Sequence, residues 1–288
     1  MEDLEKLRAL IDDLDEKIVE LLEKRAEISK LIGKKKNNLD LNVYQPEREK
    51  TVIKNVQKKT ILLKKANIKA IWKEIISACK EVQGQTIKVS YLGPEGTHTH
   101  KAAKIFFPKS GTEFIEANNI VDIFKKIENE KVNYGVIPIE NSLQGTVRET
   151  LDLLIEKNLK IYSEFEIRII HNLIGFKDTQ INKIKTVYSH PQALSQTRNW
   201  LRSNIPNAEI IENNSTAQAV KKIANLGDNR NVAIGTDIAA ILNDVEIIER
   251  GIEDNPSNYT RFLVISKKES KEIADNYKTS IIFVTKQL

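Results

Sequence analysis

Asn255-Pro256-Ser257-Asn258-Tyr259-Thr260-Arg261-Phe262-Leu263-Val264 joins a polar turn to the start of a buried strand. Phe262, Leu263, Val264 and Ile265 form a short apolar run of strand length. Asp254 to Asn258, just before, are turn formers. Thr260 is therefore expected at the mouth of a strand, with Arg261 beside it supplying a fixed positive charge. The same unit recurs upstream. Ile87 to Leu92 runs into Gly93-Pro94-Glu95-Gly96-Thr97-His98-Thr99 and then a helix through Ala102, Ala103 and Phe106. Tyr134 to Ile139 ends in Glu140-Asn141-Ser142. Thr186 to Ser189 leads into His190-Pro191-Gln192, Glu209 to Glu212 into Asn213-Asn214-Ser215-Thr216, and Val232 to Ile234 into Gly235-Thr236. Strands alternating with helices make an α/β domain. Such sheets bind ligands beyond the carboxyl ends of their strands. Ile161 to Ile170 reads as a long strand crossing between two lobes, with a cleft for a small anionic molecule between them. The Gly-rich turn at Gly93 to Thr97 opens a helix and is expected to offer free N–H groups to an anion. Its glycine spacing fits neither a dinucleotide fingerprint nor a phosphate-binding loop.

Upstream of Gly84 the texture is helical. Leu4, Leu7, Ile11, Leu14, Ile18, Leu21, Ile28 and Ile32 recur as a heptad-like stripe. Nothing interrupts it before Gly33, which predicts a helix of about 30 residues, roughly 45 Å long. Arg25 stands where the stripe calls for a hydrophobe, and a guanidinium in a seam needs a partner. A second helix is expected from Pro46, a favoured first-turn residue, with Glu49 leaning toward its buried face. A third is expected from an Asn67 N-cap, with Ile68, Ile71, Trp72, Ile75, Cys79 and Val82 on one side and Gln83 at its end. Residues 1–84 cannot bury so long a stripe alone, so a homodimer through these helices is expected.

Composition excludes several classes. Of 288 residues 40% are hydrophobic and 30% charged, as in globular proteins. A net charge of +5 with dispersed lysines gives no nucleic-acid footprint. The single Cys79 excludes an internal disulfide, and the four histidines lack zinc spacing. The charged N-terminus is no signal peptide and no apolar run has membrane-spanning length. A cytoplasmic location, no metal, no cofactor and no membrane partner are the expectations.

Leu4-x-x-Leu7-Arg8, Leu14-Asp15-x-x-Ile18, Leu21-Leu22-x-x-Arg25, Gly33-x-x-Lys36, Pro46-x-Arg48-Glu49 and Gln83 resemble the all-helical chorismate mutases. That resemblance implies an all-α bundle in an intertwined dimer over residues 1–84, rearranging chorismate to prephenate. It implies that Arg8 and Arg25 bind carboxylates, Lys36 and Gln83 donate to the ether oxygen, and Glu49 accepts from the ring hydroxyl. Arg48 is a further matching polar residue. The pericyclic step needs no nucleophile, only a compact substrate conformer and charge stabilisation at the ether oxygen. Arg8 and Arg25 lie 17 residues apart, about 25 Å along one helix. Arg8 is therefore expected in the partner subunit's site. Gln45 and Cys79 depart from the family pattern.

Gly93-Pro94-x-Gly96-Thr97, Pro138-Ile139-Glu140-Asn141-Ser142, Ser189-His190-Pro191-Gln192 and Asn255-Pro256-x-Asn258-x-Thr260-Arg261-Phe262 resemble the prephenate dehydratase catalytic domain. This implies a two-lobed α/β domain like a periplasmic binding protein over residues 85–267, making phenylpyruvate from prephenate. Thr260 is implied as the contact to the departing hydroxyl, with Asn141 and Gln192 as polar partners. Thr97, Ser142, Ser215, Thr216 and Arg261 are candidates for the carboxylates. His98 departs from the family pattern, and His190 is expected to order its loop. Together the segments resemble a bifunctional enzyme of phenylalanine biosynthesis. A two-lobed anion-binding or sensor protein fused to a helical dimerisation domain is the alternative. Residues 268–288 read as a charged linker and one strand, Thr279 to Thr285, like the first strand of a regulatory ACT domain. No feedback inhibition by phenylalanine is the corresponding expectation.

Overall fold

The computed structural model describes residues 2–38, 46–84, 86–268, 278–279 and 281. In chain order, three helices come first: α1 (Glu2–Asn38), α2 (Pro46–Gln57) and α3 (Lys65–Val82). Then follow β1 (Ile87–Leu92), α4 (His98–Phe106), β2 (Thr112–Ala117), α5 (Ile120–Glu128), β3 (Tyr134–Asn141), β4 (Gly145–Thr146) and α6 (Arg148–Glu156). Next are β5 (Lys160–Arg168), β6 (Asn172–Gly175), β7 (Thr186–Ser189), α7 (Pro191–Gln196), α8 (Arg198–Asn204) and β8 (Glu209–Glu212). The last are α9 (Thr216–Leu226), β9 (Asn231–Gly235), α10 (Asp237–Leu242), β10 (Glu246–Glu249) and β11 (Tyr259–Ser266). The chain divides into two units, a helical one containing residues 1–87 and 107–113, and an α/β one containing residues 88–106 and 114–270.

In the helical unit, α1 is rich in Leu, Glu and Lys, all strong helix formers. Exposed pairs one turn apart, Asp13–Lys17 and Glu20–Lys24, add a little. The helix does not stop at Gly33 as the sequence suggests but runs to Asn38. Gly33 is there for close approach: a Cβ on it would lie 3.0 Å from both Cβ and Cγ of Gln83. The third helix starts two residues before the expected cap, behind Lys64, with no side-chain cap. Its buried residues are Ile68, Ile76, Ser77 and Cys79, while Ile71 is largely exposed. The buried face is thus rotated from the predicted stripe. The segment 107–113 lies along α3, where Ser77 Oγ donates to the Ser110 carbonyl and the Gly111 N–H donates to Glu81 at 3.2 Å. Residues 3–21 are exposed throughout.

The α/β unit carries two sheets. One has the order β2-β1-β3-β11-β5 with β4 on β3, the other β10-β6-β9-β7-β8. The opening stretch forms β11, which pairs antiparallel with both β3 and β5. Phe262, Leu263, Val264 and Ile265 on it are fully buried. β3 runs parallel to β1. Because β11 runs against β3, its beginning lies at the carboxyl end of β3, with Thr260 opposite Asn141. Helices α5 and α6 cover this sheet through Ile123, Phe124, Ile127 and Leu153. The second sheet is buried on both faces, Leu173, Val187 and Ile234 belonging to one core and Ile174, Tyr188 and Ala233 to another. The chain passes from the first sheet to the second after Arg168 and returns before Tyr259. The crossing strand expected through Ile170 is therefore two strands, β5 and β6, separated by Ile169 to His171.

The polar residues that follow the strands of the second sheet cap helices. Ser215, Thr236 and His190 accept from the N–H groups of Gln218, Ala239 and Gln192. Thr279 to Thr285, the strand expected near the end of the chain, falls almost wholly outside the described residues.

Candidate active sites

In the helical unit, Arg25, Ser29 and Gly33 recur at single-turn spacing along α1 and are half-buried or buried, while Leu21, Ile28 and Ile32 are exposed. Arg25 Nη1 is buried without a hydrogen-bond partner among the described residues. An unpaired buried guanidinium nitrogen is costly and suits an anionic ligand. Gln83 lies against Gly33. Glu49 on α2 pairs with Lys80 on α3, Oε1 to Nζ 2.5 Å, with both side chains largely covered. Lys80 precedes Gln83 by three residues, so the two share a helix face. That spacing could have flagged Lys80, which the sequence reading missed. Arg8 and Arg48 are exposed. The side chain of Lys36 lies outside the described residues.

In the α/β unit, the meeting of β3 and β11 makes a buried polar cluster. Asn141 Nδ2 lies 2.8 Å from Thr260 Oγ1, 2.9 Å from Asn258 Oδ1 and 3.1 Å from the Tyr259 carbonyl. Asn141 Oδ1 accepts from the backbone N–H groups of Leu143 and Gln144 at 3.0 and 3.1 Å. Backbone nitrogens can only donate, so the amide cannot be turned over, and Thr260 Oγ1 must accept. The Thr260 hydroxyl hydrogen is left for another partner. Asn258 Nδ2 continues the cluster to Gln196 Oε1 at 3.1 Å, at the end of α7. Gln192 sits one turn earlier on the same helix, half-buried.

Two family descriptions match this chain: prephenate dehydratase over residues 89–270 and chorismate mutase type II over residues 7–84. A bifunctional chorismate mutase/prephenate dehydratase of Aquifex aeolicus is 40% identical over 291 residues, spanning 99% of this chain and 79% of the relative. This chain belongs to the bifunctional chorismate mutase/prephenate dehydratase family. A prephenate dehydratase of Methanocaldococcus jannaschii is 42% identical over 203 residues, covering 69% of this chain and 72% of its own. The crystal structure of the prephenate dehydratase of Staphylococcus aureus superposes with a TM-score of 0.57 at 31% identity, covering 63% of this chain and 67% of that one. The helical unit thus carries the mutase match and the α/β unit the dehydratase match, and both activities belong to phenylalanine biosynthesis. No described helix is long and apolar enough to cross a membrane.

Within the dehydratase part, Asn141, Ser142 and Thr260 come together at one strand end. Ser142 Oγ accepts from the Tyr259 N–H at 2.9 Å and donates to the Ser257 carbonyl at 3.1 Å, holding the turn before β11. Arg261, expected to supply a fixed positive charge, is paired with carboxylates. Its guanidinium lies 2.7 Å from Glu140 and 3.7 Å from Glu164, because its neighbours on the flanking strands carry carboxylates. Thr97 donates to the Leu92 carbonyl at 3.0 Å. Ser215 and Thr216 open α9, Ser215 as its cap.

The Gly-rich turn also differs from expectation. The N–H groups of Gly93, Glu95, Gly96 and Thr97 all find protein acceptors, Ala117 O, Glu116 Oε2, His100 Nδ1 and Pro94 O respectively. Gly96, at φ 89°, is needed for approach to the second sheet's helices: a Cβ there would lie 3.0 Å from Ala239 Cβ and 3.3 Å from Ala217 Cβ. Its carbonyl accepts from Thr236 Oγ1 at 2.5 Å.

The dehydratase part also holds buried histidines that the sequence reading left unused. His171 Nε2 lies 2.7 Å from Gln196 Oε1, and its Nδ1 has no partner among the described residues. His98 meets His171 edge-on at 5.5 Å between centroids, with Nε2 likewise unpartnered. Burial, reinforced by His171 and Lys101, pushes His98 down to about 3. Burial also lowers His171, against the opposing influence of Gln196 and Glu253. Both imidazoles are neutral near pH 7. Only tertiary contact relates His171 to Asn258, 87 residues away in sequence.

Proposed function

We propose that the Thr260 hydroxyl is the donor that stabilises the ring hydroxyl as it leaves prephenate. The observation that carries this is the locked Asn141 amide, which occupies a lone pair of Thr260 Oγ1 and leaves its hydrogen free. In the reaction the bond to the ring carboxylate breaks, and its electron pair moves into the ring as the carbon–oxygen bond opens. Carbon dioxide leaves, one proton is taken up, and the hydroxyl departs as water. A threonine is too weak an acid to surrender its proton, so Thr260 acts by hydrogen bonding to charge growing on the leaving oxygen. Gln192 assists from α7, and Thr97, Ser142, Ser215 and Thr216 are the candidates around the carboxylates. Arg261, already between two carboxylates, supports the strand and acts on substrate only at a distance.

The mutase site is assigned to Arg25, Lys36, Glu49 and Gln83, with Arg48 nearby and Arg8 contributed by a partner subunit. Support comes from the unpaired Arg25 nitrogen and from residues 3–21, an exposed helix length of about 28 Å bearing Leu4, Leu7, Ile11, Leu14 and Ile18. A second copy of α1 would cover that face and bring Arg8 to a site that its own chain cannot reach. Chorismate rearranges there without any covalent intermediate.

Separation of the two activities tests the assignment. Fed chorismate, Thr260→Val should accumulate prephenate. Arg25→Ala should leave chorismate unconsumed yet convert added prephenate at the normal rate. Phenylpyruvate formation at full rate by Thr260→Val, or normal chorismate loss in Arg25→Ala, would overturn it.

A further inference from the structure

The cluster around Thr260 continues farther than the reaction itself requires, and every polarity in it follows from two backbone groups. Leu143 and Gln144 N–H donate to Asn141 Oδ1. Asn141 Nδ2 must then be the donor toward Thr260 Oγ1 and Asn258 Oδ1, which share its two hydrogens with the Tyr259 carbonyl. Asn258, almost fully buried, must present Nδ2 to Gln196. Gln196 must present Oε1, and His171 must therefore donate from Nε2 across the 2.7 Å contact. Only one histidine tautomer satisfies the whole sequence of bonds.

We infer that His171 is a positioning residue for the dehydratase, anchoring the side chains of Gln196 and Asn258 so that the Asn141 amide and the Thr260 hydroxyl it bonds are held at a fixed place against substrate. The inference rests on the reading of Thr260 given above and deepens it. His171 is well suited to the task. Its N–H bonds to Glu253 Oε2 at 3.0 Å and its carbonyl accepts from Ile252 at 2.9 Å, so its backbone is anchored independently of the ring. Glu253 is itself held by Arg168 at 2.9 Å. The residue is 3% exposed, and its ring meets that of His98 edge-on. An anchored, buried neutral imidazole offers a single donor in a fixed direction. Gln196 Oε1 sits between that donor and Asn258 and cannot turn without losing both bonds. Without the Nε2 donor, Gln196 Oε1 keeps only Asn258 as a partner, so the Gln196 side chain loosens, and with it the Asn258 amide against which the Asn141 amine rests.

The full chain should be assayed with prephenate, alongside chorismate turnover and the melting temperature of the same preparations. In His171→Ala, kcat for phenylpyruvate should fall about tenfold while KM for prephenate stays within about twofold. His171→Gln places an amide N–H near the position of Nε2 and should recover most of the loss. Nitrogen NMR of histidine-labelled protein gives a readout independent of turnover. The His171 signal, assigned by its disappearance in His171→Gln, should show Nε2 protonated and Nδ1 bare. In Asn258→Asp the new carboxylate needs a donor from Gln196, so Gln196 should turn and His171 should pass to the Nδ1-protonated tautomer. A bare Nε2 in the unaltered protein, an intact kcat in His171→Ala, or a glutamine variant no better than alanine would each overturn the inference. Thr260→Val, measured in parallel, separates the two readings. If it keeps its turnover the role of Thr260 fails; if it alone is inactive while His171→Ala is normal, only the role of His171 fails.

Discussion

Replacing Thr260 by valine removes one oxygen and keeps the shape of the side chain. The structural cost can be worked out from Asn141. Its amide has two hydrogens but three acceptors in range, Thr260 Oγ1 at 2.8 Å, Asn258 Oδ1 at 2.9 Å and the Tyr259 carbonyl at 3.1 Å. With valine in place, both hydrogens still have acceptors, and no buried polar group is stranded. The added methyl takes the place of Oγ1 at a site only 8% exposed, beside Asn141 Nδ2, which must draw back from the 2.8 Å contact by a few tenths of an ångström. Stability should therefore change by no more than about 1 kcal/mol, a shift of roughly 2–4 °C in melting temperature for a domain of this size. The catalytic loss should be far larger. Removing a donor aimed at charge that develops in the transition state costs about 3–4 kcal/mol, or two to three orders of magnitude in kcat. Ultraviolet detection of phenylpyruvate from prephenate reports the second quantity and thermal melting the first. Thr260→Ser, which keeps the hydroxyl, should stay within about tenfold of the unaltered protein. Activity of Thr260→Val within a few-fold of normal would refute the donor role. A loss of activity matched by a collapse in melting temperature would show that the residue matters for folding instead.

Three further expectations follow from other parts of the structure. Arg8→Ala and Arg25→Ala chains, each inactive as a mutase, should recover about a quarter of normal activity when unfolded and refolded together, since half the dimers then hold one complete site; no recovery would argue against a shared site. Gly33→Ala should gain about 1 kcal/mol of helix propensity and lose a similar amount where its Cβ meets Gln83 at 3.0 Å. Its mutase turnover should fall several-fold as Gln83 shifts, with prephenate turnover unchanged, and equal effects on both activities would count against that link. The third concerns His100, fully buried beneath Tyr91 and Phe114, and pushed down to about 4 by burial and then by Lys104. Its unfolded form binds a proton below about pH 6.5 that its folded form refuses, so it destabilises the fold as pH drops. From about pH 7 to about pH 5 it should cost roughly 2 kcal/mol, seen as a lower urea midpoint, and a midpoint that stays level over that range would contradict the assignment. His98 and His171, also lowered, act in the same direction.

Hydrophobic period and turn chemistry are local properties, and what depends on them was legible in the amino-acid order. The apolar run Phe262 to Ile265 specified a buried strand, and the stripe through α1 specified a long helix. Pro46 marked a helix start, and Ser215 a cap. Gly33 misled because a glycine permits both a helix end and a close helix contact, and its sequence neighbours do not distinguish them; the approach of Gln83 does. The partners of Arg261 were hidden for a related reason, since Glu140 and Glu164 lie on neighbouring strands whose register no local pattern reveals. The Gly93 to Thr97 turn had its N–H groups taken by Glu116, Ala117 and His100 once the chain folded back on itself. The amino-acid order by itself determined the two kinds of unit and named most candidate side chains. Only the tertiary structure decided which of them touch and which way each hydrogen bond runs, as in the path from His171 to Thr260. Its members come from four separate stretches of chain. A hydrogen bond's direction depends on what stands opposite, and that is set when distant segments pack, not when they are strung together.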